Sequence, residues 1–173
     1  MQNERESRMK TLLALEEVIA GHPFCDGLEQ KFLTPLRDCA SLRRFGSQQE
    51  IFQEGGEADH FYLILSGKVM LETSVPHDGV VPIQTLGAGE ALGWSWLFPP
   101  YQWCFTAKTA APTDVISFAA PFLRQHVERN SDFGNELLWR LTKTLIQRLQ
   151  STRQTLVQLY ASKVPKEVVS DRA

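Results

Sequence analysis

No apolar run in this chain approaches the roughly 18–20 residues that a membrane-spanning helix needs. Met1 to Lys10 is polar and charged, with no apolar stretch of the secretory kind behind it. Neither a membrane span nor a leader is expected. Cysteine is scarce and odd in number: Cys25, Cys39 and Cys104 are widely spaced. They build no disulfide framework and read as reduced thiols of a cytoplasmic protein. An excess of positive charge is also missing. With 18 Lys and Arg against 20 Asp and Glu, the net charge is −2 and the pI about 6.1, which gives no electrostatic case for a nucleic-acid binder. There is no Ser-His-Asp grouping, phosphate loop or dinucleotide fingerprint. His22-x-x-Cys25 has no second pair at zinc spacing. His60, His77 and His126 show no carboxylate or nucleophile partner in the sequence. A non-catalytic protein without metal or cofactor is the expectation.

What is present is a 43% hydrophobic chain of 173 residues, enough to bury a core in one domain with a helical extension. Leu12, Leu13, Leu15, Val18 and Ile19 predict an amphipathic helix over Met9 to Ala20, ended by Gly21-His22-Pro23. Two short helices should follow: one over Gly27 to Leu33, capped by Asp26, and one starting at Pro35. From Ser41 the period changes. Ser41 to Phe52 reads as extended, and short strands follow over Phe61–Leu65, Lys68–Val75, Val80–Thr85, Phe105–Ala110 and Asp114–Phe118. His77-Asp78-Gly79 is a hairpin turn. Close-spaced short strands with Gly-containing turns predict a rolled antiparallel sheet. Pro121 starts a short helix, and Asn130 and Ser131 cap a long one running to about Tyr160. In it Leu138, Leu141, Leu145, Leu149, Thr152, Leu156 and Leu159 recur at steps of three and four. Such a stripe suits a second copy of the chain in a parallel or crossed dimer; packing on its own sheet is the other account. Arg140, Lys143, Arg148 and Arg153 are scattered around this helix and read as a solvated face.

Leu86 to Thr109 concentrates the unusual residues. It holds Gly87, Gly89 and Gly93, the pair Pro99-Pro100, and Trp94, Trp96 and Trp103, three of the four tryptophans. Upstream lies Ile51-x-x-x-Gly55-x-x-x-Asp59-x-x-Tyr62-x-Ile64-x-x-Gly67-x-Val69. Leu86-Gly-x-Gly89, Leu92-Gly93 and Thr106-x-Lys108 continue it in register. This pattern resembles a cyclic-nucleotide-binding domain, over roughly Phe24 to Tyr160. The resemblance implies an α+β, mainly β fold: an antiparallel, jelly-roll-like β-roll with N-terminal helices and a long C-terminal helix. It also implies that a short helix within this segment cradles the cyclic phosphate on free backbone N–H groups. The family pattern has a glutamate for the ribose hydroxyl where this chain has Trp94, and an arginine for the phosphate where it has Trp103. Trp96 and Cys104 replace small residues, and Glu90 lies four positions too early to substitute. A charge-assisted arginine–phosphate contact contributes about 1.5–3 kcal/mol. Losing it together with the ribose carboxylate would remove about two to four decades of affinity.

The ligand-pocket candidates are Leu92, Gly93, Trp94, Ser95, Trp96, Trp103, Cys104 and Thr106. Two readings stand side by side. In one, Trp94, Trp96 and Trp103 form an aromatic box for a non-phosphate ligand. In the other, the indoles fill the old pocket of an interaction module; an open cavity or a packed one separates them. Apolar neighbours Trp103 and Phe105 should make Cys104 an inert thiol. The expected organisation is an N-terminal helical segment (1–23), the roll (24–130), a dimerisation helix (131–160) and a mobile tail (161–173). The tail is too short for a helix-turn-helix, so direct DNA binding is not expected. The function expected is a non-catalytic regulatory or sensory module with altered or lost cyclic nucleotide binding, homodimeric through residues 132–160. The alternative is a genuine cyclic AMP or cyclic GMP binder of transcriptional-regulator type lacking its own DNA-binding domain.

Overall fold

The structure, a computed structural model, describes residues 12–77 and 79–163. The chain divides into two compact units, Met1–Leu137 and Leu138–Ala173. Helix α1 covers residues 12–20. His22 then caps a 3-10 turn, Pro23–Cys25, by accepting the Phe24 N–H on Nδ1 at 3.1 Å. Its Nε2 donates to the Ile64 carbonyl at 3.2 Å. A ring that accepts at one nitrogen and donates at the other is neutral. Burial pulls the His22 pKa down, and the Ile64 hydrogen bond opposes this only in part.

Helix α2, Gln30–Asp38, stands where two short helices were expected, and Pro35 lies inside it. A proline in so short a helix removes a single ladder donor, and buried Phe32, Leu33 and Leu36 anchor the helix on one side. Cys39 ends α2 with its Sγ 3.3 Å from the Pro35 and Leu36 carbonyls. Burial pushes its thiol up to about 12.

The extended run expected over Ser41–Phe52 is two strands in different sheets, β1 (Ala40–Phe45) and β2 (Glu50–Phe52). The bend between them is tied by a distant residue. Thr109 Oγ1 donates to the Gly46 carbonyl at 2.6 Å and accepts the Gln49 N–H at 2.8 Å. Local alternation carries no trace of such a knot.

The remaining strands are β3 (His60–Ser66), β4 (Lys68–Val75), β5 (Gly79–Gly87), β6 (Ala91–Leu92), β7 (Thr106–Thr109) and β8 (Thr113–Ala119). They form two four-stranded antiparallel sheets, ordered β1-β8-β3-β6 and β2-β7-β4-β5. This is the expected β-roll. The chain passes from the first sheet to the second at Gly67, where φ is +90 and a Cβ would lie 2.4 Å from the Pro112 carbonyl oxygen. Only glycine fits there. In the β4–β5 hairpin His77 and Gly79 have positive φ; Asp78 lies outside the described residues. Pro82 sits on the edge strand β5, where a missing N–H costs least.

Successive residues of β3 point to opposite faces. Phe61 meets Phe24 and Phe118, with ring centroids 5.3 and 5.8 Å away, on the helical side. Tyr62 faces the second sheet and stacks with Phe52 at 6.1 Å. Helix α3, Ala120–Arg129, leads into α4, Ser131–Lys163. Asn130 caps α4 as expected, its Oδ1 accepting the Phe133 N–H at 3.1 Å. Phe133 is buried beside Phe32.

Helix α4 continues past the expected Tyr160 end. The later part of the expected tail, 164–173, lies outside the described residues. Within the second unit, Leu141 of the expected stripe is 1% exposed, while Trp139, Ile146, Leu149, Leu156, Val157, Leu159 and Tyr160 are exposed. Residues 151–161 are exposed throughout. Among the described residues no helix is long and apolar enough to cross a membrane.

Candidate functional site

The segment between β5 and β7 is built around two glycines. Gly89 (φ +85) turns the chain back onto β3, with its N–H on the Ile64 carbonyl at 2.8 Å. Glu90 closes the same turn, its carboxylate accepting the Gly87 N–H at 2.7 Å. Its place is therefore structural, as its early position suggests. Strand β6 pairs Leu92 with Tyr62, both buried. Gly93 then takes φ +87 and starts a 3-10 turn, Trp94–Leu97. The chain returns through Pro99-Pro100 and Tyr101. It is pinned by Ala58 N–H to the Tyr101 carbonyl (2.7 Å), Trp103 N–H to Gly56 (2.9 Å) and Gly55 N–H to Trp103 (2.8 Å).

Trp96 and Trp103 pack against different rings. Trp94 is half-buried. Trp96 is fully buried and packs 6.0 Å from Phe61, on the helical side of the first sheet. Trp103 belongs to the Tyr62 face, where it stacks on Phe52 with centroids 3.9 Å apart and planes at 13°. The column Trp103–Phe52–Tyr62–His60 thus runs through four near-parallel rings. Trp96 thus packs against Phe61, and Trp103 reaches Tyr62 through Phe52; Phe61 and Tyr62 are neighbouring residues of β3 whose side chains point to opposite faces. The sequence spacing of the indoles carries no information about which face each one reaches.

Ser95 is buried, with its Oγ 3.6 Å from Cys104 Sγ. Cys104 itself is exposed. Thr106 opens β7 and accepts the Glu54 N–H on Oγ1 at 3.1 Å. Lys108 lines an outer groove of the second sheet with Glu50, Glu54 and Glu72, away from the indoles. Burial pushes the Tyr62 phenol up to about 12, and Asp59 adds to the effect. His60, for which the sequence suggested no partner, has Asp59 Oδ1 2.8 Å from its Nδ1. No cluster of three or more metal-type side chains occurs among the described residues.

Two contributors escaped sequence reasoning. Phe52 reads there as an ordinary strand residue and is the platform for Trp103. Arg124, on α3, donates from Nη1 to the Trp96 carbonyl at 2.9 Å and lies 4.6 Å over the Tyr101 ring. An arginine does reach the cassette, with its guanidinium on a carbonyl and a π face.

The roll, its glycine-framed cassette and the flanking helices match a family profile described as the cyclic nucleotide-binding domain, over residues 42–130. The chain belongs to that family. A CRP-like cAMP-activated global transcriptional regulator of Mycobacterium tuberculosis is 24% identical over 154 residues, covering 89% of this chain and 67% of the relative. The crystal structure of a cyclic nucleotide-binding protein from Geobacter metallireducens GS-15 superposes with a TM-score of 0.71 at 25% identity, covering 77% of this chain and 96% of the other. A cyclic nucleotide-binding domain from Methylobacillus flagellatus KT also gives 0.71, at 20% identity, covering 92% of this chain and 88% of that one. The matched residues include Gly89, Gly93 and Thr106 together with Trp94 and Trp103.

Proposed function

We propose that this protein is a regulatory module of cyclic-nucleotide-binding type whose cassette has given up the cyclic nucleotide. It transmits through assembly of α4 with a second copy rather than through catalysis. One observation carries the reading: Trp103, at the position where the family resemblance places the phosphate arginine, is 4% exposed and stacked on Phe52. An indole in that place supplies no positive charge for an anion and occupies volume a sugar phosphate needs. The exposed apolar residues of α4 support assembly, since a helix in water gains most of its stability from a covered apolar face.

Calorimetric titration with cyclic AMP and with cyclic GMP tests the reading. No saturable heat is expected in the micromolar range, and micromolar affinity for either would overturn it. The paired changes Trp94→Glu and Trp103→Arg should create measurable affinity. A second reading, a cyclic nucleotide-responsive protein of transcriptional-regulator type, is favoured by the similarity to the mycobacterial regulator, and the same titration decides between the two.

A further inference from the structure

The space around Trp103 has the form of a slot for one flat ring. Its floor is the Phe52 ring, nearly parallel at 3.9 Å, with Tyr62 stacked beneath. Its sides are glycines. A Cβ on Gly93 would lie 2.8 Å from Cζ3 and 3.1 Å from Cη2 of the indole, and one on Gly56 would lie 3.5 Å from Cδ1. The benzo edge and the pyrrole edge therefore each meet a residue with no side chain. The backbone of residue 103 is held independently, by its hydrogen bonds to Gly55 and Gly56. The frame of the slot thus does not depend on the indole that fills it.

We propose that Trp103 is a ligand carried in cis. Its indole occupies a planar-aromatic site between Phe52 and Gly93 and holds the roll in an occupied form without any free ligand. The proposal rests on the reading that the cyclic nucleotide has been given up, and it adds the chemical class that the site now takes: an uncharged flat bicyclic ring. A free ring of that kind binds when residue 103 no longer supplies one, because an apolar cavity left by a deleted side chain stays dry and accepts a molecule of matching shape.

The experiment is chemical rescue of the full chain. Trp103→Ala should lower Tm by roughly 10 °C. Millimolar indole should raise the Tm of that variant by several degrees through mass action and leave the wild type unchanged. Trp103→Phe should lie between the two in Tm and respond little to indole. If Trp103→Ala folds only poorly, refolding with and without indole replaces the melt; recovery of soluble protein only with indole supports the proposal. An alanine variant as stable as wild type, one that indole neither stabilises nor rescues, or one that takes up cyclic AMP in preference to indole would overturn it. Cyclic AMP binding by the wild type would instead strike the reading beneath it, so the two failures are distinguishable.

Discussion

A methyl group added at one glycine measures how tightly the cassette is closed. Gly55 and Gly93 both have φ in the left-handed region, +81 and +87, so alanine pays a similar backbone penalty at each. A Cβ at Gly55 meets nothing within 4 Å, whereas one at Gly93 meets Trp103 at 2.8 Å. Gly55→Ala should cost about 1 kcal/mol, and Gly93→Ala about 2–4 kcal/mol once the overpacking is added. Urea unfolding measures both. Combining Gly93→Ala with Trp103→Ala should cost less than the sum of the two single changes, because the clash is gone. These glycines were legible in the sequence, since a left-handed turn leaves few residue types to choose from. The indoles stand out in the sequence, but their places in the fold do not. Whether Trp96 joins Phe61 or Trp103 joins Phe52 depends on which side of β3 the returning chain passes, and no local pattern encodes that.

At the scale of elements, long-range ties decide what the sequence leaves open. The strands β3 and β4 were readable from alternation and from Gly67 between them. The break between β1 and β2 was not, because Thr109 makes it from the far end of the roll. The helical hook before α2 is tied in the same way, through His22 on the Ile64 carbonyl. Its pH response follows from the neutral ring. Burial lowers the folded-state pKa of His22 below its ordinary 6.5, so as pH falls the unfolded chain takes up the proton first. The contribution is fully present above 6.5 and is lost progressively as pH falls from 6.5 toward the lower folded value. Urea midpoints should therefore drop between about pH 7 and about pH 5. His22→Gln, which cannot titrate, should show a shallower drop than the wild type; an equal slope would place the acid sensitivity elsewhere.

At the scale of the whole molecule, the proposed assembly rests on the exposed apolar residues of α4. Leu149 and Leu156 are exposed, one heptad apart, with Leu159 and Tyr160 beside the second. Exposed apolar surface of that kind marks an interaction site. Light scattering should give a dimer mass for the wild type and a monomer mass for the paired change Leu149→Asp and Leu156→Asp. The near-UV circular dichroism of the roll should be unchanged. A monomeric wild type would remove assembly from the proposed function.

The tryptophans are also spread over both units. Trp96 and Trp103 are 0% and 4% exposed within Met1–Leu137, while Trp139 is 74% exposed in Leu138–Ala173. A dissolved quencher such as iodide reaches Trp139 freely and the two buried indoles hardly at all. Trp94, half-buried in the roll, falls between these extremes, so the emission of the roll is mostly but not wholly protected. A partner that covers the helix lowers the access of iodide to Trp139 and leaves Trp96 and Trp103 as they are.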